Sequence, residues 1–162
     1  MGDLLHPSVG PRRGLRRGTP ATAWYARGCA CEAADPAAAI HAYERAVAGS
    51  PDLADAHNNL GRLHHDRGAL ALAEGSYRLA ICGQPAVALY WFNLGVVVED
   101  QGRSAEAIAA YEHAVALEPR LADAHWNLAR LFEVIGRRSA DEGVLRRALR
   151  HLARYRDLAR AG

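Results

Sequence analysis

The chain has 162 residues, half of them apolar and 23% charged, with a formal net charge of +2. That is the size of one ordinary domain with a sizeable core, not of a multidomain enzyme. All 20 basic residues are Arg, which excludes mechanisms that need a Schiff-base or phosphate-loop lysine, and the 34 alanines favour helices that cross closely.

Residues 1–21 read as a disordered basic arm, with four Arg against Asp3 in the first twenty positions. The arm holds no apolar run long enough for a signal-peptide core. The pairs Arg12-Arg13 and Arg16-Arg17 lack the apolar stretch of a twin-arginine export signal, and His6 stands where a myristoylation start needs Ser or Thr. Nowhere does the chain approach 18 consecutive apolar residues, so no membrane span is expected. Cys29, Cys31 and Cys82 are odd in number and lack CxxC spacing, which argues against a disulfide framework. On a helix Cys29 and Cys31 would sit about 200° apart, unable to chelate one ion together. A reduced, cytoplasmic protein is the simplest expectation.

From Trp24 onward the sequence repeats itself with a period of 34. Pro51, Pro85 and Pro119 keep that spacing, as do Gly68, Gly102 and Gly136, Leu60, Leu94 and Leu128, and Ala54, Ala88 and Ala122. Ala73 pairs with Ala107 and Tyr77 with Tyr111 in the same way. Each unit therefore reads as a helix, a Gly stop, a second helix and a Pro stop. The Gly of each unit falls where the first helix must end in a left-handed residue. The Pro follows a helix that it cannot continue. Gly61, Gly95 and Ala129 are small residues inside first helices, at a cost of about 1 kcal/mol for each Gly. That cost is understandable if the partner helix crosses there, with Tyr43, Tyr77 and Tyr111 filling the core beside it.

The pattern W-x-x-L-G…A-x-x-x-Y…P resembles the tetratricopeptide repeat, a 34-residue helical hairpin. It is carried best by Trp91, Leu94, Gly95, Ala107, Tyr111, Ala114 and Pro119, and again by His57, Leu60, Gly61, Ala73, Tyr77, Ala80 and Pro85. A first unit shows Trp24, Gly28, Ala39, Tyr43, Ala46 and Pro51, one residue short between Gly28 and Ala39, with Pro36 starting its second helix. The fourth begins with Leu128, Ala129 and Phe132 and then departs. The resemblance implies an all-α, right-handed α-solenoid of about four helix-turn-helix hairpins over 22–160, with repeats at about 22–53, 54–87, 88–121 and 122–160.

After Gly136 the sequence is expected to form a long C-terminal capping helix reaching about Arg160, with Ser139 and Glu142 in capping-box spacing. A seven-residue displacement keeps one face inward: Leu145, Ala148, Leu149, Leu152, Tyr155 and Ala159. The outer face would be polar, as terminal solenoid repeats require.

In such a solenoid the first helix of each unit lines a concave wall. Asn59, Asn93 and Asn127 recur there at 34, and an amide both donates and accepts, so a ladder of them could pair with an extended peptide backbone. The resemblance to peptide-binding members implies that role for these three positions, although Asn there could equally satisfy local hydrogen bonds. Arg62 and Arg130, two repeats apart, could grip a carboxylate, and Phe92 and Trp126, read as exposed, would anchor apolar side chains. The likeness to clamps for C-terminal carboxylates is partial, because the lysine those clamps use is missing.

His57, His64 and His65 share a helix, but His57 and His125 occupy the place of Trp91, a packing position, so no metal site is expected. No GxSxG, HExxH, GxGxxG or phosphate loop occurs, and no catalytic site or cofactor is expected. The charge divides into +3 over 1–20, −6 over the repeats and +5 over 137–160. Apart from Tyr155 the basic ends lack interleaved aromatics, which argues against nucleic acid and for solvated surface. The expectation is a non-enzymatic scaffold that binds a protein or peptide segment rather than a small-molecule substrate or membrane. One alternative is the regulatory module of a bacterial transcription regulator, since the tail resembles the helical tails of MerR-like regulators. Another is the repeat arm of a glycosyltransferase-type enzyme.

Overall fold

The computed structural model describes residues 19–161. Of the basic arm, all but its last three residues lie outside this range. Eight helices follow: α1 (Ala21–Cys31), α2 (Pro36–Gly49), α3 (Ala54–Asp66), α4 (Leu70–Gly83), α5 (Ala88–Asp100), α6 (Ser104–Leu117), α7 (Ala122–Ser139) and α8 (Glu142–Ala161). They pack as consecutive hairpins, α1 on α2, α3 on α4, α5 on α6 and α7 on α8, and each second helix also packs on the next hairpin. This is a tetratricopeptide-type all-α array with a long C-terminal helix. Beyond neighbours in sequence, α3 touches α5, so the first helices line the inner wall.

Local chemistry sets the boundaries. Asp35 caps α2, its carboxylate accepting from the amides of Ala37 (3.1 Å) and Ala38 (3.0 Å), with Pro36 in the first turn. At the ends of α3 and α5, Gly68 and Gly102 take φ of 72° and 78°. There the amides of Ala69 and Arg103 return to the carbonyls of His64 (2.9 Å) and Val98 (3.0 Å), which closes each helix without a steric penalty.

Within each of the first three hairpins a tyrosine ring lies flat against a glycine of the opposing helix. A methyl group on Gly28 would sit 2.5 Å from the Tyr43 ring, on Gly61 2.7 Å from Tyr77, and on Gly95 2.5 Å from Tyr111. All three rings are almost fully buried. Ala39, Ala46, Ala73, Ala80, Ala107 and Ala114, on the tyrosine-bearing helices, are fully buried too, as the alanine count anticipated.

A further repeated bond ties each of the last three hairpins to the turn before it. His57 Nε2 lies 2.9 Å from the carbonyl oxygen of Pro51, Trp91 Nε1 donates to that of Pro85 (2.8 Å), and His125 Nε2 lies 3.2 Å from that of Pro119. The three positions share what the chemistry requires, a ring N–H on a flat apolar body. Between the second and third hairpins, Glu74 is buried and accepts from Arg103 (2.8 Å) and Gln101 (2.8 Å), with Arg78 at 2.7 Å. Burial alone would raise its pKa, but the hydrogen bonds from Arg103 and Gln101 and the adjacent guanidinium charges outweigh that and hold it low.

The last hairpin departs from the sequence reading in three respects. Gly136 does not end α7; it stays helical and buried, lying against Leu145, while Ala140 takes the left-handed conformation (φ 53°) four residues later. Ser139 is not the N-cap of α8. Its hydroxyl donates back to the Ile135 carbonyl (2.9 Å), and Asp141 caps instead, accepting from the amides of Gly143 (2.8 Å) and Val144 (3.1 Å). Nor is the outer side of α8 simply polar. Of the six residues expected inward only Ala148 is buried, and Leu149 is 64% exposed.

Gly95→Ala should destabilise the chain by about 1–3 kcal/mol in urea unfolding, because Tyr111 cannot withdraw from a fully packed site. Gly75→Ala, where a methyl meets nothing within 4 Å on helix α4, should instead stabilise by about 0.5–1 kcal/mol.

Candidate functional site

The inner wall is built from α1, α3, α5 and α7, and the sequence-selected residues lie along it. Four residue types form the same cluster twice. In the first copy Tyr43 donates its hydroxyl proton to Glu32 (2.8 Å), Asn59 donates to the Tyr43 oxygen (3.2 Å), and Arg62 pairs with Glu32. In the second, Tyr111 donates to Glu99 (2.9 Å) and Arg130 pairs with Glu99, while Asn127 occupies the position of Asn59. Tyr, Asn and Arg of the two copies are 68 residues apart; the glutamates are 67 apart, because the first unit is one residue short.

Each cluster bridges two hairpins, its Tyr and Glu from one and its Asn and Arg from the next. Burial and the adjacent carboxylate push both tyrosine hydroxyls far above their ordinary pKa, so they remain neutral donors. The joint between the second and third hairpins lacks this cluster. Val96 stands in the Arg position, His65 in the Glu position, and Asn93 donates to Asn58 (2.9 Å) instead of to Tyr77. Tyr90 to Asp55 and His65 to Asp100 (2.6 Å) connect this joint instead.

Each candidate residue thus has a definite place. Asn59 holds the Tyr43 hydroxyl, Asn93 holds Asn58, Asn127 stands half-buried beside the third joint, and Arg62 and Arg130 hold glutamates. An amide that donates one proton still has a second donor, so the engaged asparagines keep bonding capacity toward the groove. Arg62 and Arg130 already have carboxylate partners, which lowers their attraction for another. Phe92 is not exposed as expected; it is half-buried and lies against Tyr111 with ring centroids 5.7 Å apart. Trp126 is 46% exposed and packs on Tyr155 at 5.3 Å. Sequence reading missed Glu32 as a site residue, because the shortened first unit shifts it out of the 34-residue register.

Trp126 borders a groove of about 420 Å³ between α7 and α8, floored by Ala129, Leu145, Ala148, Leu149 and Leu152 and rimmed by Arg130, Glu133 and Arg137. On the other side of α8, His125 and His151 place their Nδ1 atoms 2.9 Å apart. The Pro119 carbonyl can only accept, so His125 carries its proton on Nε2 and receives at Nδ1, and His151 donates from Nδ1. Burial, then His125 and the guanidinium groups of Arg147 and Arg150, push His151 down to about 4, and burial lowers His125 as well. Among the described residues no three His, Cys, Asp or Glu are gathered as a metal site, and no helix is long and apolar enough to cross a membrane. The three cysteines are unpaired thiols.

Two family models match the chain: a tetratricopeptide repeat model over residues 30–88 and a TPR repeat model over 98–136. No curated protein matches it. Among solved structures, a crystal structure of MamA superposes with a TM-score of 0.77 at 19% identity, covering 87% of this chain and 79% of that one. MamA from Desulfovibrio magneticus RS-1 gives 0.73 at 20% identity, with 87% and 76% covered. A further MamA structure, labelled MSR-1, gives 0.70 at 22%, with 88% and 79% covered. At these identities the likeness is one of fold. The likeness of the tail to MerR-like regulators finds no support.

Two measurements probe the wall and its end. Tyr111→Phe should cost about 1 kcal/mol by removing the donor to Glu99, whereas Tyr77→Phe, whose hydroxyl has no protein partner among the described residues, should stay within about 0.5 kcal/mol. Because His151 is harder to protonate folded than unfolded, its contribution is complete above about pH 6.5 and is lost as pH falls from there toward about 4. His151→Gln keeps a side-chain donor and removes the titration, so its stability profile over that window, read by urea unfolding, should be flatter than that of the parent.

Proposed function

Because this chain is a tetratricopeptide-repeat protein, we propose that it is a non-catalytic scaffold whose inner wall binds an extended segment of a partner protein. The observation that carries this reading is the row of amides on α3, α5 and α7. Asn59 and Asn93 are each fixed by a neighbour in the array, so their remaining donors and acceptors are held in place before a ligand arrives, and Asn127 continues the row at the same spacing. Trp126 supplies an exposed aromatic anchor at the end of the row. No reaction class suggests itself among the described residues, because their pKa-shifted groups are tyrosines, histidines and ion-paired charges that serve packing. Three unpaired thiols accord with a reducing compartment.

The wall is acidic on balance. Glu32 and Glu99 neutralise Arg62 and Arg130, while Asp55, Asp66, Asp100 and Asp123 are exposed along it. A neutral or basic segment therefore fits it better than a C-terminal carboxylate. Asn93→Ala combined with Arg130→Ala should abolish capture of the main partner from native lysate with helicity unchanged by circular dichroism. Retained capture would move the binding surface away from the inner wall.

A further inference from the structure

In every hairpin, one position on the first helix and one on the second face the hairpin that follows. On the first helices this is Tyr25, Asn58, Phe92 and Trp126; on the second helices it is Ile40, Glu74, Ile108 and Leu149, allowing for the seven-residue displacement in α8. In the first three hairpins these residues are buried or half-buried. In the last hairpin Trp126 is 46% and Leu149 64% exposed. Between them runs the groove of about 420 Å³. The face has the composition of a helix-covered surface, and among the described residues no helix covers it.

Its charge states what would suit it. By the 3.6-residue period Arg146, Arg156 and Arg160 share the face of α8 that bears Leu149. Among the described residues, the ion pairs of α8 are Arg146 with Glu142 and Arg147 with Glu112; Arg156 and Arg160 have no carboxylate partner. The floor is therefore apolar and its continuation along α8 is uncompensated positive charge.

We propose that the face formed by α7 and α8 is a second docking site, distinct from the amide row, which receives an amphipathic helix of a partner protein. The apolar stripe of that helix lies in the groove over Trp126 and Leu149, and its acidic flank lies against Arg156 and Arg160. The proposal does not depend on the inner wall binding a peptide.

The test uses the full chain and two fluorescein-labelled synthetic helices. Both carry Leu at i, i+3, i+4 and i+7; one has Glu beside that stripe and the other Lys. Fluorescence anisotropy should show the Glu helix binding more tightly, with an affinity that falls as salt is raised. Leu149→Glu should weaken that binding roughly tenfold or more. Arg156→Glu with Arg160→Glu should reverse the preference between the two helices. All three positions are exposed, so helicity and the unfolding midpoint should not change. Equal binding of the two helices, or binding untouched by Leu149→Glu, would overturn the proposal. Sedimentation equilibrium is the third arm: self-association that Leu149→Glu abolishes would assign the face to a second copy of the chain and likewise overturn it.

Discussion

At Gly28, Gly61 and Gly95 a tyrosine ring lies so close to the opposite helix that one methyl group would come within 2.5–2.7 Å of its carbons. This fixes how near the two helices of a hairpin can approach and at what point they cross. It also fixes where the hydroxyl emerges. A ring held flat on its glycine carries its oxygen through the hairpin to the inner wall, where Glu32 or Glu99 accepts its proton and, at the first joint, Asn59 bonds to it. The polar surface on which a ligand would lie is thus positioned by an apolar contact inside the core. The intrahelical cost of glycine, about 1 kcal/mol each, is the condition for that arrangement.

The clusters at the first and third joints also distinguish them from the joint between. In a linear array stability is close to a sum of hairpin terms and nearest-neighbour terms, so the chemistry of each joint matters separately. At the outer two a carboxylate, a phenol and a guanidinium close one network, which an amide joins at the first. At the middle joint Val96 removes the guanidinium, and the connection passes to the buried Glu74 with Arg103 and Gln101 behind the wall, and to Asp55–Tyr90 and Asn58–Asn93 upon it. Asn93 consequently differs from Asn59. It is held by another amide instead of a phenol, at the centre of the row where a ligand would be gripped from both sides.

Much of the fold was legible because each marker acts locally. A proline stops a helix, a glycine permits a left-handed turn, and the 34-residue spacing of both needs no knowledge of the partner helix. Gly136 shows the limit of that reading. It keeps the spacing, yet its value lies in the space it leaves for Leu145, and the turn moves to Ala140 and Asp141. The site was legible as a set of residues but not as a set of bonds. Asn59, Arg62, Asn127 and Arg130 stood out by periodicity, while their carboxylate and phenol partners belong to the preceding hairpin, and Glu32 sits one residue out of register. Phe92 was read as exposed because helical periodicity places it on the wall; the adjacent Tyr111 half-covers it.

The last hairpin breaks the tyrosine–glycine rule, and its surface differs accordingly. Ala129 stands where Gly95 stood and Leu152 where Tyr111 stood, so this crossing has no tyrosine ring pressed on a glycine. The α7–α8 groove lies beside this crossing, with Ala129 and Leu152 in its lining. Stability at this end comes from other contacts: Arg147 lies over the Phe132 ring at 4.1 Å and pairs with Glu112 of α6, and the His125–His151 pair links α7 to α8. These replacements reverse the local charge as well, from an acidic wall to an arginine-rich helix. A net charge of +2 therefore describes neither surface. The array thus carries two faces of opposite charge, an acidic wall and a basic final helix.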